Sequence, residues 1–135
     1  MEFFRKIDLK ITEPELCETL TLSSLENMTQ QLFVIGEQNA QEASIGGVWG
    51  EFTLTRQVIR GGLRFALKEC PNGLAWTITT GLPPDTDCIV IHLTLNRKQI
   101  AQDFFEEIEE FLEDHCLSLE KIFSPAPRKN PETKK

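Results

Sequence analysis

The sequence predicts an α+β fold: an N-terminal strand, two short helices, an antiparallel β-meander, and a long C-terminal amphipathic helix packed on the sheet. Three observations predict it. In residues 96–123, Ile100, Phe104, Ile108, Phe111, Leu112 and His115 recur at steps of three and four, one face of a helix. In residues 48–96, four runs of strand-forming residues alternate with glycine- and proline-bearing turns. Ahead of them, residues 12–35 carry capping residues and apolar spacings that suit two short helices.

Composition fits one such domain. A chain of 135 residues buries roughly two-thirds of the surface its unfolded form exposes, enough for a core without disulfides or metal. Hydrophobic content of 40% and charged content of 26% belong to the soluble globular class. No run of about 18 apolar residues marks a membrane span. The opening MEFFRKIDLKI lacks the apolar middle of a signal peptide, so a cytoplasmic location is expected. Cys17, Cys70, Cys88 and Cys116 are widely scattered without a CxxC pair, which favours free thiols over a zinc site.

The net charge is −7. Residues 124–135 hold Arg128, Lys129, Lys134 and Lys135 against Glu132, so the remainder stands at −10. Such a body repels nucleic-acid phosphates and anionic lipid. The division expected is one folded domain over residues 1–123 and a disordered basic tail over 124–135, with three prolines and almost nothing apolar.

Taken in order, residues 2–11 alternate as a half-buried strand, with Phe3, Ile7, Leu9 and Ile11 on one side. Thr12 then caps a helix, with Pro14 in its first turn and Glu15 placed to complete a capping box. Ser24 caps a second, whose stripe is Leu25, Met28, Leu32 and Ile35; the run 32–35 also suits a strand. Residues 39–47 read as a polar loop. Four strands follow, over residues 48–60, 63–70, 74–80 and 88–96. A Gly61-Gly62 turn pairs Val58 with Phe65, and Arg56 with Leu67. Phe52, Leu54, Val58, Leu63, Phe65 and Leu67 then share one face, continued by Trp76, Ile78, Ile89, Ile91, Leu93 and Leu95 and covered by the helix.

No motif carries catalysis. Cys88 and His92 share a strand face, but Cα atoms four residues apart on a strand lie about 13 Å apart, too far for an activated thiol. His115 and Cys116 are adjacent on a helix and point apart. The helix's Glu106, Glu107, Glu109, Glu110, Glu113 and Asp114 diverge along one rod, whereas calcium needs converging oxygens. Residues 46–50, GGVWG, lack the following helix of a phosphate-binding loop; glycines beside Trp49 suit a bulge or close strand packing.

Two charged sets invite binding. Arg56 falls on the apolar face between Leu54 and Val58, so its guanidinium must pair, reach the rim or meet an anion, with Arg60 and Arg64 nearby. On the helix, Glu106, Glu110 and Glu113 form a negative stripe. Arg97 and Lys98 before it, and Glu113 and Asp114 late in it, set these charges against the helix dipole.

The order strand, helix pair, strands, long helix resembles the helix-grip architecture of ligand-carrying proteins, from which this chain is a strand or two short. The expectation is a non-enzymatic, acidic, protein-binding module of the chaperone, adaptor or immunity kind, with Glu106, Glu110 and Glu113 facing a basic protein partner. The alternative is a small-molecule carrier with a pocket between the C-terminal helix and the sheet, reading an anion through Arg56, Arg60 and Arg64. Neither needs a cofactor or metal, nucleic acid or a membrane, and a homodimer is left open. An apolar cavity of a few hundred Å3 beneath the helix favours the carrier; a solid core with an exposed apolar patch favours the module.

Overall fold

A computed structural model describes residues 1–124; the tail expected to be disordered lies outside them, apart from its first residue. The elements in chain order are β1 (Glu2–Ile7), α1 (Glu13–Thr19), a 3-10 turn (Leu22–Ser24), α2 (Leu25–Met28), β2 (Leu32–Gln38) and β3 (Glu42–Gly47). They continue with β4 (Gly50–Ile59), β5 (Gly62–Leu67), β6 (Ala75–Thr80), β7 (Ile89–Thr94) and α3 (Gln102–Phe123). All strands join one antiparallel sheet in the order β1-β7-β6-β5-β4-β3-β2. The fold is the α+β arrangement expected, and the strands that the sequence reading lacked are β2 and β3.

Each missing strand has a physical reason. Leu32 to Ile35 continues the α2 stripe in spacing, but the helix ends at Met28. Thr29 is extended, at φ −162 and ψ 148. Asp114 on α3 fixes that break: its Oδ2 accepts from Thr29 Oγ1 at 2.5 Å and from the Gln30 N–H at 2.9 Å. A partner 84 residues away therefore overrides a weak local preference. Ser24 does not cap α2 either; its Oγ accepts from the Thr21 N–H at 3.0 Å and belongs to the 3-10 turn. In the supposed loop over residues 39–47, only 39–41 turn. Asn39 Oδ1 accepts from the Gln41 and Glu42 N–H groups. Ala43 and Ile45 then point inward, buried, but small residues at 44, 46 and 47 blur the alternation.

The hairpin register moves by two. Val58 pairs with Leu63, Arg56 with Phe65, and Leu54 with Leu67. Gly61 takes a positive φ of 88, whereas Gly62 enters β5. A Cβ on Gly62 would lie 2.1 Å from the Ile78 carbonyl oxygen, so this glycine serves a close strand approach rather than the turn. A shift of two keeps the parity, so these side chains stay on the face expected, although Val58 there is exposed instead of covered.

That inner face is continuous across the sheet. Leu93, Ile91 and Ile89 of β7 stand opposite Trp76, Ile78 and Thr80 of β6; Trp76 and Ile78 meet Phe65 and Leu63 of β5. The middle of α3 fills the space above them with Ile108, Phe111, Leu112, His115 and Leu119, all fully buried. Phe65 stacks on Trp76 with centroids 5.5 Å apart, and Phe111 meets Trp76 at 5.1 Å and 71°. Burying each large side chain here contributes about 1.5–3 kcal/mol before entropy is subtracted. Among the described residues no helix is long and apolar enough to cross a membrane.

Candidate functional site

The helix α3 crosses the sheet with one face buried, and its carboxylates divide by what they meet. Glu109 pairs with Arg5 of β1. Asp114 holds the α2–β2 link. Glu106, Glu110 and Glu113, at i, i+4 and i+7, are exposed; Glu106 accepts a hydrogen bond from Gln102 at 3.1 Å. Arg97 and Lys98 precede the first helical residue by four or more, and Glu113 and Asp114 sit mid-helix. The real end turns carry Asp103 and Lys121, the signs the dipole favours, with Glu120 opposing it in the last turn. The opposition to the dipole expected from Arg97, Lys98, Glu113 and Asp114 is absent, because the helix starts only at Gln102 and ends at Phe123, well past Asp114.

A cleft opens where α3 begins. The β3–β4 turn, the β5–β6 connection and the start of α3 meet at one end of the sheet: Gly47 pairs with Gly50, and the Asn96 N–H donates to the Asn72 carbonyl at 2.8 Å. Between them lies a cavity of about 370 Å3 lined by Val48, Trp49, Phe52, Cys70, Pro71, Asn72, Leu74, Phe104 and Glu107. Three aromatic rings line it, Trp49 and Phe52 from the β3–β4 region and Phe104 from α3. Trp49 stands edge-on to Phe104 at 6.2 Å and 89°, and to Phe111 at 5.3 Å and 61°, so the buried core fixes its orientation. The Trp49 Nε1 is buried without a partner among the described residues, a state that costs about 1–3 kcal/mol when no acceptor reaches it. Glu107 supplies the cleft's one charged lining side chain and Asn72 its amide. Gly47 lets the start of β2 come close, since a Cβ there would lie 2.5 Å from the Gln31 carbonyl oxygen, and Gly50 takes the turn's positive φ of 114.

The arginines do not gather into one site. Arg56 lies on the inner face, half-buried, and donates from Nε to the Leu20 carbonyl at 2.8 Å and from Nη2 to the Cys17 carbonyl at 2.6 Å. These are carbonyls at the C-terminal end of α1, where a cation suits the helix dipole. Arg64 sits on the outer face opposite Gln57 and Thr77, and Arg60 stands in the β4–β5 turn. Arg56 also borders a second cleft of about 350 Å3, with Thr21, Leu22, Ser23, Gln38, Asn39 and Ala40. Two of its nitrogens are already committed to the fold there.

Both histidines are held by partners within the fold. His92 stacks on Phe4 at 4.2 Å, and its Nε2 lies 2.7 Å from Glu2 Oε1. His115 is wholly buried; its Nδ1–H donates to the Met28 carbonyl at 2.7 Å, and Nε2 has no partner among the described residues. Desolvation outweighs that bond and pushes its pKa down to about 4. Burial raises the Cys116 thiol to about 11 and also raises those of Cys17 and Cys88, which makes all three poor nucleophiles at neutral pH.

The sequence sets Trp49 beside glycines and Phe104 on the apolar face of the helix, but nothing in it announces the cleft they share with Phe52, Leu74 and Glu107. Glycines flanking a tryptophan in a two-residue turn are the local signal; the other walls come from distant segments. No family model matches the chain, and no curated protein matches it. The fold is similar to that of the protein XoxI from Bacillus cereus. The TM-score is 0.58 at 8% identity, over 90% of this chain and 94% of that one. A likeness at that identity speaks for the fold alone.

Proposed function

We propose that the protein is a non-enzymatic binding module that holds a small molecule in the cleft between the start of α3 and the sheet. The observation that carries this is the cavity of about 370 Å3 with three aromatic walls, a size and lining suited to a ligand. It lies where the helix and the sheet part, beyond the filled middle of the core. The core fixes Trp49 from below, so the site is preformed, which lowers the entropy lost on binding.

The test is a heteronuclear NMR titration with 3-phenylpropanol, a neutral aromatic probe. Amide signals of Val48, Asn72, Leu74 and Phe104 and the Trp49 indole signal should shift together and saturably. Signals of β1 should stay in place. Shifts centred elsewhere, or none at millimolar probe, would remove the cleft from the account.

A second reading has its own observation. Glu106, Glu110 and Glu113 line the solvent face of α3 and make no ion pair among the described residues, unlike Glu109. On that reading the module recruits a basic protein along the helix, and its signature is an association rate that falls with salt.

A further inference from the structure

Charge decides what class of molecule the cleft prefers. Glu107 is its one charged lining side chain, and the lining contains no lysine, arginine or histidine. Around it the chain outside the basic tail stands at −10, and Asp103, Glu106 and Glu110 of the same helix add negative potential at that end. The arginine that an anion carrier would use, Arg56, borders a different cleft and is bound to the end of α1. The lining also holds the rings of Trp49, Phe52 and Phe104, beside Val48, Cys70, Pro71, Asn72 and Leu74; an aromatic face attracts a cation that lies over it. Arg97, Lys98 and the positive end of α3 act the other way. The dipole's effect falls off within the first turn, and Glu107 is the sixth residue of the helix.

From this we infer that the cleft selects an organic cation: an amine or quaternary ammonium group on an apolar or aromatic body. The ammonium group lies against the Glu107 carboxylate and the body packs among Trp49, Phe52 and Phe104. The inference rests on the cleft being the binding site and adds the sign of the ligand's charge. It also reverses the anionic preference expected from Arg56, Arg60 and Arg64.

Three matched probes test it on the full chain: 3-phenylpropylamine, 3-phenylpropanol and 3-phenylpropionate, titrated by NMR or calorimetry at pH 7. The amine should bind at least tenfold more tightly than the carboxylate, with the alcohol between them. Glu107→Gln keeps the shape and removes the charge, so it should bring amine and carboxylate within about threefold of each other. Glu120→Gln, exposed near the far end of the helix, should keep the tenfold preference. Equal binding of amine and carboxylate by the wild type would overturn the inference while leaving the cleft as a site for neutral ligands. An equal loss in both variants would also overturn it, because the discrimination would then come from net charge. Failure of all three probes to bind would overturn both the inference and the proposed function.

Discussion

His115 shows how one side chain ties stability to pH. Its ring lies between Trp76 and Phe111, at 6.1 and 5.3 Å, and only the neutral form suits that setting. The folded pKa is pushed down to about 4 from an ordinary 6.5. The unfolded chain therefore binds the extra proton between those values. The stability due to neutral His115 is complete above pH 6.5 and is lost as pH falls towards 4. A gap of that size corresponds to about 3 kcal/mol. Urea melts from pH 7 to pH 4 should show this loss. His115→Gln, which keeps a donor for the Met28 carbonyl but cannot take the proton, should flatten that part of the profile. An unchanged slope in the variant would place the acid sensitivity in the carboxylates. A second residue-scale prediction ranks the helix. Ile108→Ala, at a fully buried position, should cost about 2–5 kcal/mol. Phe104 is half-buried at the cleft rim, so Phe104→Ala should cost less than the about 3–5 kcal/mol of an enclosed phenylalanine. Glu109→Ala removes one partly exposed ion pair and should stay within about 1 kcal/mol. A reversed order in chemical melts would mean that the rim, and not the helix centre, anchors α3.

Among the elements, α3 has an unused margin at its start. Ala101 is its N-cap, at φ −64 and ψ 151, and makes no side-chain capping bond. That backbone is already the extended form a capping residue needs. Ala101→Ser should stabilise the protein by about 1 kcal/mol and raise Tm by a few degrees; a lowered Tm would show that the hydroxyl disturbs the β7–α3 link. The same element shows what can be read from a sequence. The apolar face of α3 is written in its spacing, because burial on a helix repeats every 3.6 residues. The inner face of β5, β6 and β7 is written equally clearly, and parity preserved it through a register error of two. The β2 and β3 strands were hidden for opposite reasons. Leu32 and Ile35 fit a helix as well as a strand, and the deciding partner, Asp114, is far along the chain. In β3, Ser44, Gly46 and Gly47 give no contrast with Ala43 and Ile45, so period-two alternation has nothing to act on.

At the scale of the whole molecule, charges that look alike in the sequence have different tasks once folded. Arg56 was correctly placed on the inner face, but its partners are main-chain carbonyls that no residue type announces. The cleft was illegible for a related reason: its walls come from residues 48–52, 70–74 and 104–107, and only the assembled sheet brings them together. The acidic helix was legible, yet Glu109 and Asp114 turn inward to Arg5 and Thr29, which leaves Glu106, Glu110 and Glu113 as the part free for a partner. On a body of −10 outside the tail, these three should act on encounter more than on the final contact. If a basic protein docks here, replacing all three by Gln should slow association severalfold at low salt, and the difference should shrink as added salt screens exposed charge over about 10 Å. Dissociation and melting temperature should change little, since all three side chains are exposed. Stopped-flow association at two salt concentrations, with any basic partner recovered from the native host, reads this directly. Equal rates for wild type and triple variant at low salt would remove the acidic face from the account and leave the proposal of the aromatic cleft to stand or fall on its own titration.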